Sequence, residues 1–295
     1  MSNFTHVVGI GTSMGGLQAL KKLFGYLPQN LNITFLIVQH TAEGAAGQLP
    51  VLLKGISSFK VKEAEDDDII EPGMAYTSPS DKHLMVMDGK IVLGEGSREN
   101  GSRPSINNLF RSIAAEYQQR AIGVVLTGLL SDGTQGLKSI KSMGGTAIVQ
   151  NPDDADFADM PSNALKNVVV DYVSSLEDIG PLLRVLSNKS VPQKFYKASH
   201  QMLREIEMAA QKHPDNEKNT ILKSYQRGNL PVADSLFSIL QMMQERTNML
   251  ENLAEHEMLN NRLRMARVHF SKAAECRLHT ENLKKHLEEM VGLAS

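Results

Sequence analysis

The chain has 295 residues, the length of one large domain or of two smaller ones. Apolar residues make up 41%, charged residues 22% and the net charge is −2, which excludes a wholly disordered chain and a strongly basic binder of nucleic acid or anionic lipid. The single cysteine, Cys276, excludes a disulfide framework and multi-cysteine metal sites. No apolar run approaches the ~20 residues of a membrane span and no signal peptide is recognisable, so we expect a cytoplasmic protein without membrane insertion.

The first 190 residues alternate between short apolar runs and amphipathic stretches. The runs are rich in β-branched residues and lie at 6–10, 33–38, 121–127, 146–149 and 168–172. Helical spacing appears between several of them, for example at 15–27 and 105–118. Short runs that are apolar on both faces are typical of buried parallel strands. The pattern predicts an α/β fold with a doubly wound, mostly parallel sheet and helices on both faces.

The stretch 60–94 has a different pattern. It holds three short strand-like pieces, GMAYTS, HLMVMDG and KIVLGEG, with glycine-based turns near them. We interpret this stretch as a small antiparallel excursion from the main sheet.

The composition changes again near residue 190, which predicts three regions. Residues 1–190 form the α/β domain, and residues 191–231 hold an amphipathic helix at 199–212 and a linker rich in polar and helix-breaking residues. Residues 232–295 are helical throughout and predict a helical hairpin, or a coiled coil that dimerises.

A glycine-rich turn directly follows the first apolar run. A dinucleotide fingerprint would require a glycine at position 14, where this chain has Met14. The alternative is Gly11-x-Ser13-x-Gly15, a nucleophile elbow in which small neighbours, Gly16 among them, permit the tight strand-to-helix turn that exposes a serine Oγ. The structural interpretation, a glycine-rich turn with Ser13 as a helix N-cap, stays open at this point.

Two further polar residues follow apolar runs. His40 ends the run ITFLIVQH, and Asp132 follows the run 121–127 in a loop that also contains Gly128 and Gly133. Each has an ordinary structural explanation, as a buried histidine held by backbone or as a turn-forming Asp-Gly pair.

The conjunction of these residues is more specific than any one of them. Ligands of open α/β sheets bind outside the carboxyl ends of the strands, which is where Ser13, His40 and Asp132 are all expected. A nucleophile, a base and an acid that orients the base are the minimum set for acyl transfer. Their order along the chain differs from the Ser, Asp/Glu, His order of α/β-hydrolases, which predicts a different fold with similar chemistry.

The segment 6–188 resembles the catalytic domain of CheB, the chemoreceptor protein-glutamate methylesterase. The resemblance is carried by GIGTSMGG, IVQH, SRPSINNLF, VVLTGLLSDGTQGL and MGGTAIVQNPDDADFADMPSNAL, in the family's order. It implies that Ser13 is the nucleophile, His40 the general base and Asp132 its orienting carboxylate. It also implies hydrolysis of γ-glutamyl methyl esters on the helices of methyl-accepting chemoreceptors and deamidation of receptor glutamines. We expect no cofactor and no metal, and assign the oxyanion to backbone N–H groups near Met14 and Leu129.

The sequence departs from the family at four points. The resemblance begins at residue 6, so we expect no receiver domain before it and no regulation through phosphorylation of one. Met14 and Thr41 stand where the family commonly has threonine and methionine. Leu130 replaces a glycine of the family loop, and if that glycine had a positive φ we expect the loop to differ here.

The last third resembles the tail of a receiver-less subset of these proteins, in which a zinc-ribbon segment precedes a long helical hairpin. The zinc cysteines are absent, so no structural zinc is expected. Residues 232–292 are candidates for self-association or for binding a regulator. Two other functions stay open: a scaffold whose esterase has decayed, and an esterase of the same mechanism acting on a protein outside chemotaxis.

Overall fold

The computed structural model describes most of the α/β domain and one long helix near the C-terminus. The described residues are 6–29, 31–40, 48–56, 58–189, 191, 194, 196–212, 243, 247, 250, 251, 254, 258 and 263–292. The chain divides into two compact units, one of residues 1–98 with 102–213 and one of residues 99–101 with 214–295. In the described part of the chain, no helix is long and apolar enough to cross a membrane.

The first unit is built on a parallel sheet of seven strands. These are β1 (His6–Thr12), β2 (Ile33–Gln39), β3 (Lys60–Glu63), β4 (Met74–Thr77), β7 (Ala121–Val125), β8 (Thr146–Gln150) and β9 (Tyr172–Ser174). Their order is β3-β4-β2-β1-β7-β8-β9, and all neighbours are parallel. A separate antiparallel hairpin is formed by β5 (His83–Met87) and β6 (Lys90–Gly94).

Helices cover both faces of this sheet. They are α1 (Gly16–Tyr26), α2 (Gln48–Lys54), α3 (Ile106–Tyr117), α4 (Thr134–Ser142), α5 (Asp159–Asn167), α6 (Leu176–Ser187) and α7 (His200–Ala209). Alternate strand residues point to opposite faces, so Val7 belongs to the core that includes α3, α4 and α7, whereas Val8 belongs to the core that includes α1 and α6. The second unit contains the helix α8 (Leu263–Gly292).

Helix α3 approaches β1 closely because two strand positions are glycine. A Cβ built on Gly11 would lie 2.2 Å from the Ile106 Cγ2 atom, and one on Gly9 would lie 2.7 Å from the Ile113 Cδ1 atom. Any larger residue would push the helix away from the sheet. The close approach brings the first turn of α3 to the carboxyl end of β1, which is the predicted site.

The fold confirms the doubly wound sheet, and two local strand predictions were wrong. GMAYTS does not belong to an antiparallel excursion, because its strand β4 lies inside the parallel sheet between β3 and β2. The strand expected at 168–172 lies at Tyr172–Ser174 instead, because residues 168–171 form an irregular connection in which Val169 is 85% exposed. The expected β5–β6 hairpin and the helix at 199–212 are confirmed.

The predicted C-terminal hairpin is described only in part. Helix α8 supplies one long helix within residues 232–295, and most of residues 232–262 lie outside the described residues. The hairpin, the linker and the three-region division therefore stay predictions.

Candidate active site

The three predicted site residues meet at the point where the sheet reverses its winding. Strand β1 lies between β2 and β7, and the helices that follow β1 and β7 pack on opposite faces of the sheet. This arrangement leaves a crevice at the carboxyl ends of the two strands. Ser13 directly follows β1, His40 directly follows β2, and Asp132 lies in the loop between β7 and α4.

His40 and Asp132 are joined directly by a hydrogen bond. The Nε2 atom of His40 lies 2.9 Å from the Oδ2 atom of Asp132, and the two side chains are 18% and 3% exposed. An ionised carboxylate only accepts hydrogen bonds, so the proton of the neutral His40 ring resides on Nε2. The Nδ1 atom is then left with its lone pair free to accept a proton.

Asp132 also lies at the N-terminus of α3. Its carboxylate accepts hydrogen bonds from the backbone N–H groups of Ile106, at 2.8 Å, and of Asn107, at 3.1 Å. The Ser105 hydroxyl donates to it at 3.2 Å, and the N–H of Gly133 at 2.9 Å. Burial by itself raises the pKa of Asp132, but the His40 hydrogen bond, the His40 charge and the helix amides outweigh it, so this pKa lies below its ordinary value. The carboxylate is therefore ionised at neutral pH.

Ser13 is brought beside His40 through the backbone. The Ser13 N–H donates to the Thr127 carbonyl at 3.1 Å, and the His40 N–H donates to the Thr12 carbonyl at 3.0 Å. The Gln39 amide donates to the carbonyls of Ser13, at 2.7 Å, and of His40, at 2.8 Å. The Ser13 hydroxyl forms no hydrogen bond with the His40 ring in this structure, and catalytic hydrogen bonds often tighten only when substrate binds.

The glycines singled out in the two loops shape this contact. Gly15, with φ +77°, and Gly133, with φ +93°, adopt the left-handed conformation at the starts of α1 and α4. A Cβ on Gly16 would lie 2.1 Å from the Gln39 Oε1 atom. A Cβ on Gly128 would lie 2.8 Å from the Ser13 Cβ atom, so the β7–α4 loop packs directly against the serine.

Two backbone N–H groups beside the crevice residues are candidates for an oxyanion hole. Among the described residues, neither the Met14 N–H nor the Leu129 N–H has a hydrogen-bond acceptor. Both groups adjoin residues of the crevice, since Met14 follows Ser13 and Leu129 follows Gly128. The Met14 side chain is 52% exposed, so its bulk does not fill the turn.

Leu130 itself adopts the conformation that was expected only of a glycine. Its φ is +76°, and its carbonyl accepts a hydrogen bond from the Asn163 side chain at 2.8 Å. The loop therefore keeps a left-handed residue at this position and bears the strain, rather than avoiding it. Thr41, the other departure next to the site, lies outside the described residues.

The sequence pattern did not predict the residues that support the site. Gln39 was noted only as a strand end, and Ser105 and Asn107 only as part of the motif SRPSINNLF. The Asn107 side-chain oxygen accepts from the N–H groups of Gly133, at 3.0 Å, and Gly136, at 2.8 Å, and so fixes α4 against α3. A serine before a helical pattern is a recognisable N-cap, but its aspartate partner is 27 residues away in sequence.

No metal centre is found in the part of the chain that the structure describes. None of its groups of histidine, cysteine, aspartate and glutamate side chains has three members arranged to hold an ion.

The fold and this crevice define a doubly wound α/β protein with a candidate acyl-transfer site at its switch point. The CheB methylesterase family model matches residues 8–183. The chain therefore belongs to the CheB methylesterase family and is a hydrolase of that family.

Individual relatives agree with this assignment. The chain is 41% identical over 193 residues to a putative protein-glutamate methylesterase/protein-glutamine glutaminase of Leptospira interrogans, covering 65% of this chain and all of the relative. It is 38% identical over 180 residues to a Methanosarcina mazei protein named protein-glutamate methylesterase/protein-glutamine glutaminase 2, covering 58% of this chain and 49% of that relative. The crystal structure of the Thermotoga maritima CheB methylesterase catalytic domain superposes with a TM-score of 0.59 at 32% identity, covering 61% of this chain and 98% of that one.

Proposed function

We propose that the protein hydrolyses glutamyl γ-methyl esters on methyl-accepting chemoreceptor helices, with Ser13, His40 and Asp132 as a catalytic triad. The observation that carries the proposal is the 2.9 Å hydrogen bond between His40 and the buried Asp132, directly beside the turn that bears Ser13. The substrate class is supported by the relatives that bear the name protein-glutamate methylesterase/protein-glutamine glutaminase.

The first step forms an acyl-enzyme. The Ser13 Oγ atom bonds to the γ-carbonyl carbon of the substrate, and its proton passes to the Nδ1 atom of His40. Asp132 already occupies the opposite ring nitrogen, so it holds the ring in the tautomer that can accept this proton and stabilises the resulting imidazolium. The N–H groups of Met14 and Leu129 donate to the oxyanion that develops on the carbonyl oxygen.

The acyl-enzyme is complete when the carbonyl re-forms and the imidazolium of His40 protonates the departing methoxide, which leaves as methanol. The second step regenerates the serine. Water then attacks the acyl-enzyme while His40 takes its proton, and the products are a glutamate side chain and free Ser13. The same cycle with a glutamine substrate releases ammonia.

The decisive experiment measures methanol release from a methylated chemoreceptor fragment. We expect Ser13→Ala to lose about 10⁴-fold or more in kcat, as triad knockouts do. Ser131→Ala, which changes another serine in the loops of this crevice, is the matched control and is expected to retain turnover. Retention of most turnover by Ser13→Ala would remove this serine from the mechanism.

A fluorophosphonate probe separates the two alternative functions. A folded wild type that releases no methanol but is labelled at Ser13 acts on a different protein-borne ester. A folded wild type that gives neither reaction is a scaffold. The intact bond between His40 and Asp132 favours a working site over a decayed one.

A further inference from the structure

Helix α7 packs on the α/β unit although it lies beyond the residues that match the family model. The match ends at residue 183, and α7 begins at His200. Met202 and Ile206 of α7 are buried in the same core as α3. The β6 edge also accommodates this helix, because a Cβ on Gly94 would lie 1.9 Å from the Ala209 carbonyl oxygen. Helix α7 is therefore an integral part of the α/β unit.

One charged residue of α7 contacts α3. The Glu205 Oε2 atom lies 2.7 Å from the Nε atom of Arg111, whose side chain is only 8% exposed, while Glu205 is 35% exposed. The same guanidinium donates through NH1 to the Oδ1 atom of Asn108 at 3.0 Å. Glu205 thus pairs with a largely buried cation that also donates to Asn108 in the interior.

Asn108 in turn contacts a fully buried histidine, His83. His83 lies on β5 with 0% exposure, and its Nε2 atom lies 3.0 Å from the Ser97 carbonyl oxygen, which can only accept. The His83 Nε2 atom therefore carries the proton, and Nδ1 accepts from the Asn108 amide and from the Ser105 N–H, both at 3.2 Å. Burial, the largest of its causes, holds the pKa of His83 below its ordinary value, which keeps the ring neutral in this arrangement.

Ser105 connects this series of hydrogen bonds to Asp132 of the proposed triad. Ser105, whose backbone N–H donates to His83, also donates its hydroxyl to the Oδ1 atom of Asp132 at 3.2 Å. The Oδ2 atom of Asp132 holds His40. Each group in this series is hydrogen-bonded to the next, and Asn108, His83, Ser105 and Asp132 are all buried, so moving one member displaces its neighbour or leaves a buried polar atom unpaired.

We propose that Glu205 is a positioning residue for the hydrolysis, acting through Arg111, Asn108, His83 and Ser105 to fix the carboxylate of Asp132. The proposal rests on the proposed function, because it adds a support to that triad. It assigns to α7 a role in turnover: when the Glu205 carboxylate is removed, the Arg111 guanidinium loses a charge-assisted partner and turns, and the series behind it loosens. Helix α7 supplies none of the candidate site residues, so we expect the effect to fall on kcat and not on KM.

The test compares Glu205→Gln with Glu207→Gln, an exposed glutamate on the same helix. Methanol release from a methylated receptor fragment gives kcat and KM for the full chain, and ¹⁵N-histidine NMR reports the ring signals of His40 and His83. We expect Glu205→Gln to lower kcat about 3- to 30-fold, the range of coupling through such networks, with KM unchanged. We expect both ring signals to move in Glu205→Gln and neither to move in Glu207→Gln.

Two outcomes overturn the proposal. One is a Glu205→Gln variant that matches Glu207→Gln in kcat, even if its melting temperature falls, since Glu205 then only stabilises the fold. The other is a lowered kcat with unmoved His40 signals, since the effect then does not pass through Asp132. If Glu205→Gln does not fold, Glu205→Asp, which keeps the charge and shortens the reach, is read by the same two measurements.

The proposal and the proposed function fail in distinguishable ways. If the wild type shows no Ser13-dependent hydrolysis, the proposed function fails. The NMR comparison then still decides whether Glu205 acts on His40: moved ring signals support its positioning role, and unmoved signals overturn it. If hydrolysis depends on Ser13 and the two glutamine variants behave alike, only the inference about Glu205 fails.

Discussion

Leu130 shows how a single residue carries strain beside the site. A leucine at φ +76° costs about 1–2 kcal/mol relative to a right-handed conformation, because its Cβ crowds the following carbonyl. Glycine removes that strain, but it also gives the unfolded chain more conformational freedom. This freedom lowers the free energy of unfolding by about 0.5–1 kcal/mol. We therefore expect Leu130→Gly to leave the free energy of unfolding unchanged or up to about 1 kcal/mol higher.

The neighbouring leucine is the matched control for this prediction. Leu129 has the same side chain and a similar intermediate exposure, but its φ is not positive. We expect Leu129→Gly to be destabilising, so that urea unfolding separates the two variants by about 1–2 kcal/mol. Equal destabilisation by both substitutions would show that Leu130 bears no strain.

Asp132 gives the fold a defined dependence on pH. Its pKa is depressed in the folded protein, so its ionised form stabilises the fold above the unfolded pKa of about 4. That stabilisation is lost as the pH falls through the lower folded pKa. In Asp132→Asn the amide nitrogen faces the N–H donors of the α3 N-terminus and cannot accept from them, which costs about 1–3 kcal/mol.

Urea unfolding of wild type and Asp132→Asn between pH 7 and pH 2.5 checks this prediction. The difference in the free energy of unfolding between them is expected to be largest at neutral pH and to shrink in acid. A difference that grows as the pH falls would mean that the carboxylate is destabilising in the folded protein. The variant is also expected to lose about 10⁴-fold in kcat, because its side chain no longer selects the required His40 tautomer.

At the scale of single residues, the sequence located the three candidate site residues but not the residues that hydrogen-bond to them. Ser13, His40 and Asp132 were predicted because each follows an apolar run, and the carboxyl ends of parallel strands share one edge. Ser105 was not assigned a role, because its partner Asp132 is reached only through the packing of α3 on β1. Glu205 lies still further away, beyond the segment that resembles the family.

The two loops of the crevice act as one element. Gly128 of the β7–α4 loop touches Ser13, and an added Cβ there would also lie 2.3 Å from the Met160 Sδ atom. Gly128→Ala therefore has to move either the serine or the methionine. We expect its kcat to fall by about 10²-fold, the effect of a displacement of roughly 1 Å at a reacting group.

Gly55→Ala is the control for this loop contact, because a Cβ on Gly55 would meet no atom of the described residues within 4 Å. Its kcat is expected to equal that of wild type in the methanol assay. If Gly128→Ala also retained full turnover, the contact between the loops would not position Ser13.

Strands were predicted correctly where burial on both faces produces a continuous apolar run. They were predicted wrongly where the sequence pattern does not show how the strand pairs or where it begins. Residues of β1 and β2 are buried on both faces, so their continuous apolar runs mark central strands. GMAYTS reads locally like the hairpin strands that follow it, and only its pairing with Phe35–Ile37 makes it part of the parallel sheet. The run at 168–172 is apolar, but before β9 begins its side chains alternate between partly buried and exposed in an irregular connection, so hydrophobicity alone placed the strand too early.

For the whole molecule, composition and packing give different ends for the α/β unit. Composition predicts a boundary at residue 190, whereas helix α7 packs into the same core as α3. The residues that follow α7 also contact this unit. The Glu95 N–H donates to the Gln211 carbonyl, and the Lys212 side chain forms an ion pair with Asp66. These contacts indicate that a unit cut at residue 190 would expose part of its own core.

Two shortened chains decide between these boundaries. A chain ending at residue 212 keeps α7 and is expected to retain the kcat of the full chain. A chain ending at residue 190 uncovers the surface that buries Met202 and Ile206, which is worth about 1.5–3 kcal/mol for each side chain. We expect its free energy of unfolding in urea to fall by about 3–6 kcal/mol. Its kcat is expected to fall as well, because Arg111 loses Glu205. Equal unfolding midpoints for the two shortened chains would place the boundary at residue 190 and make α7 an appendage of the fold.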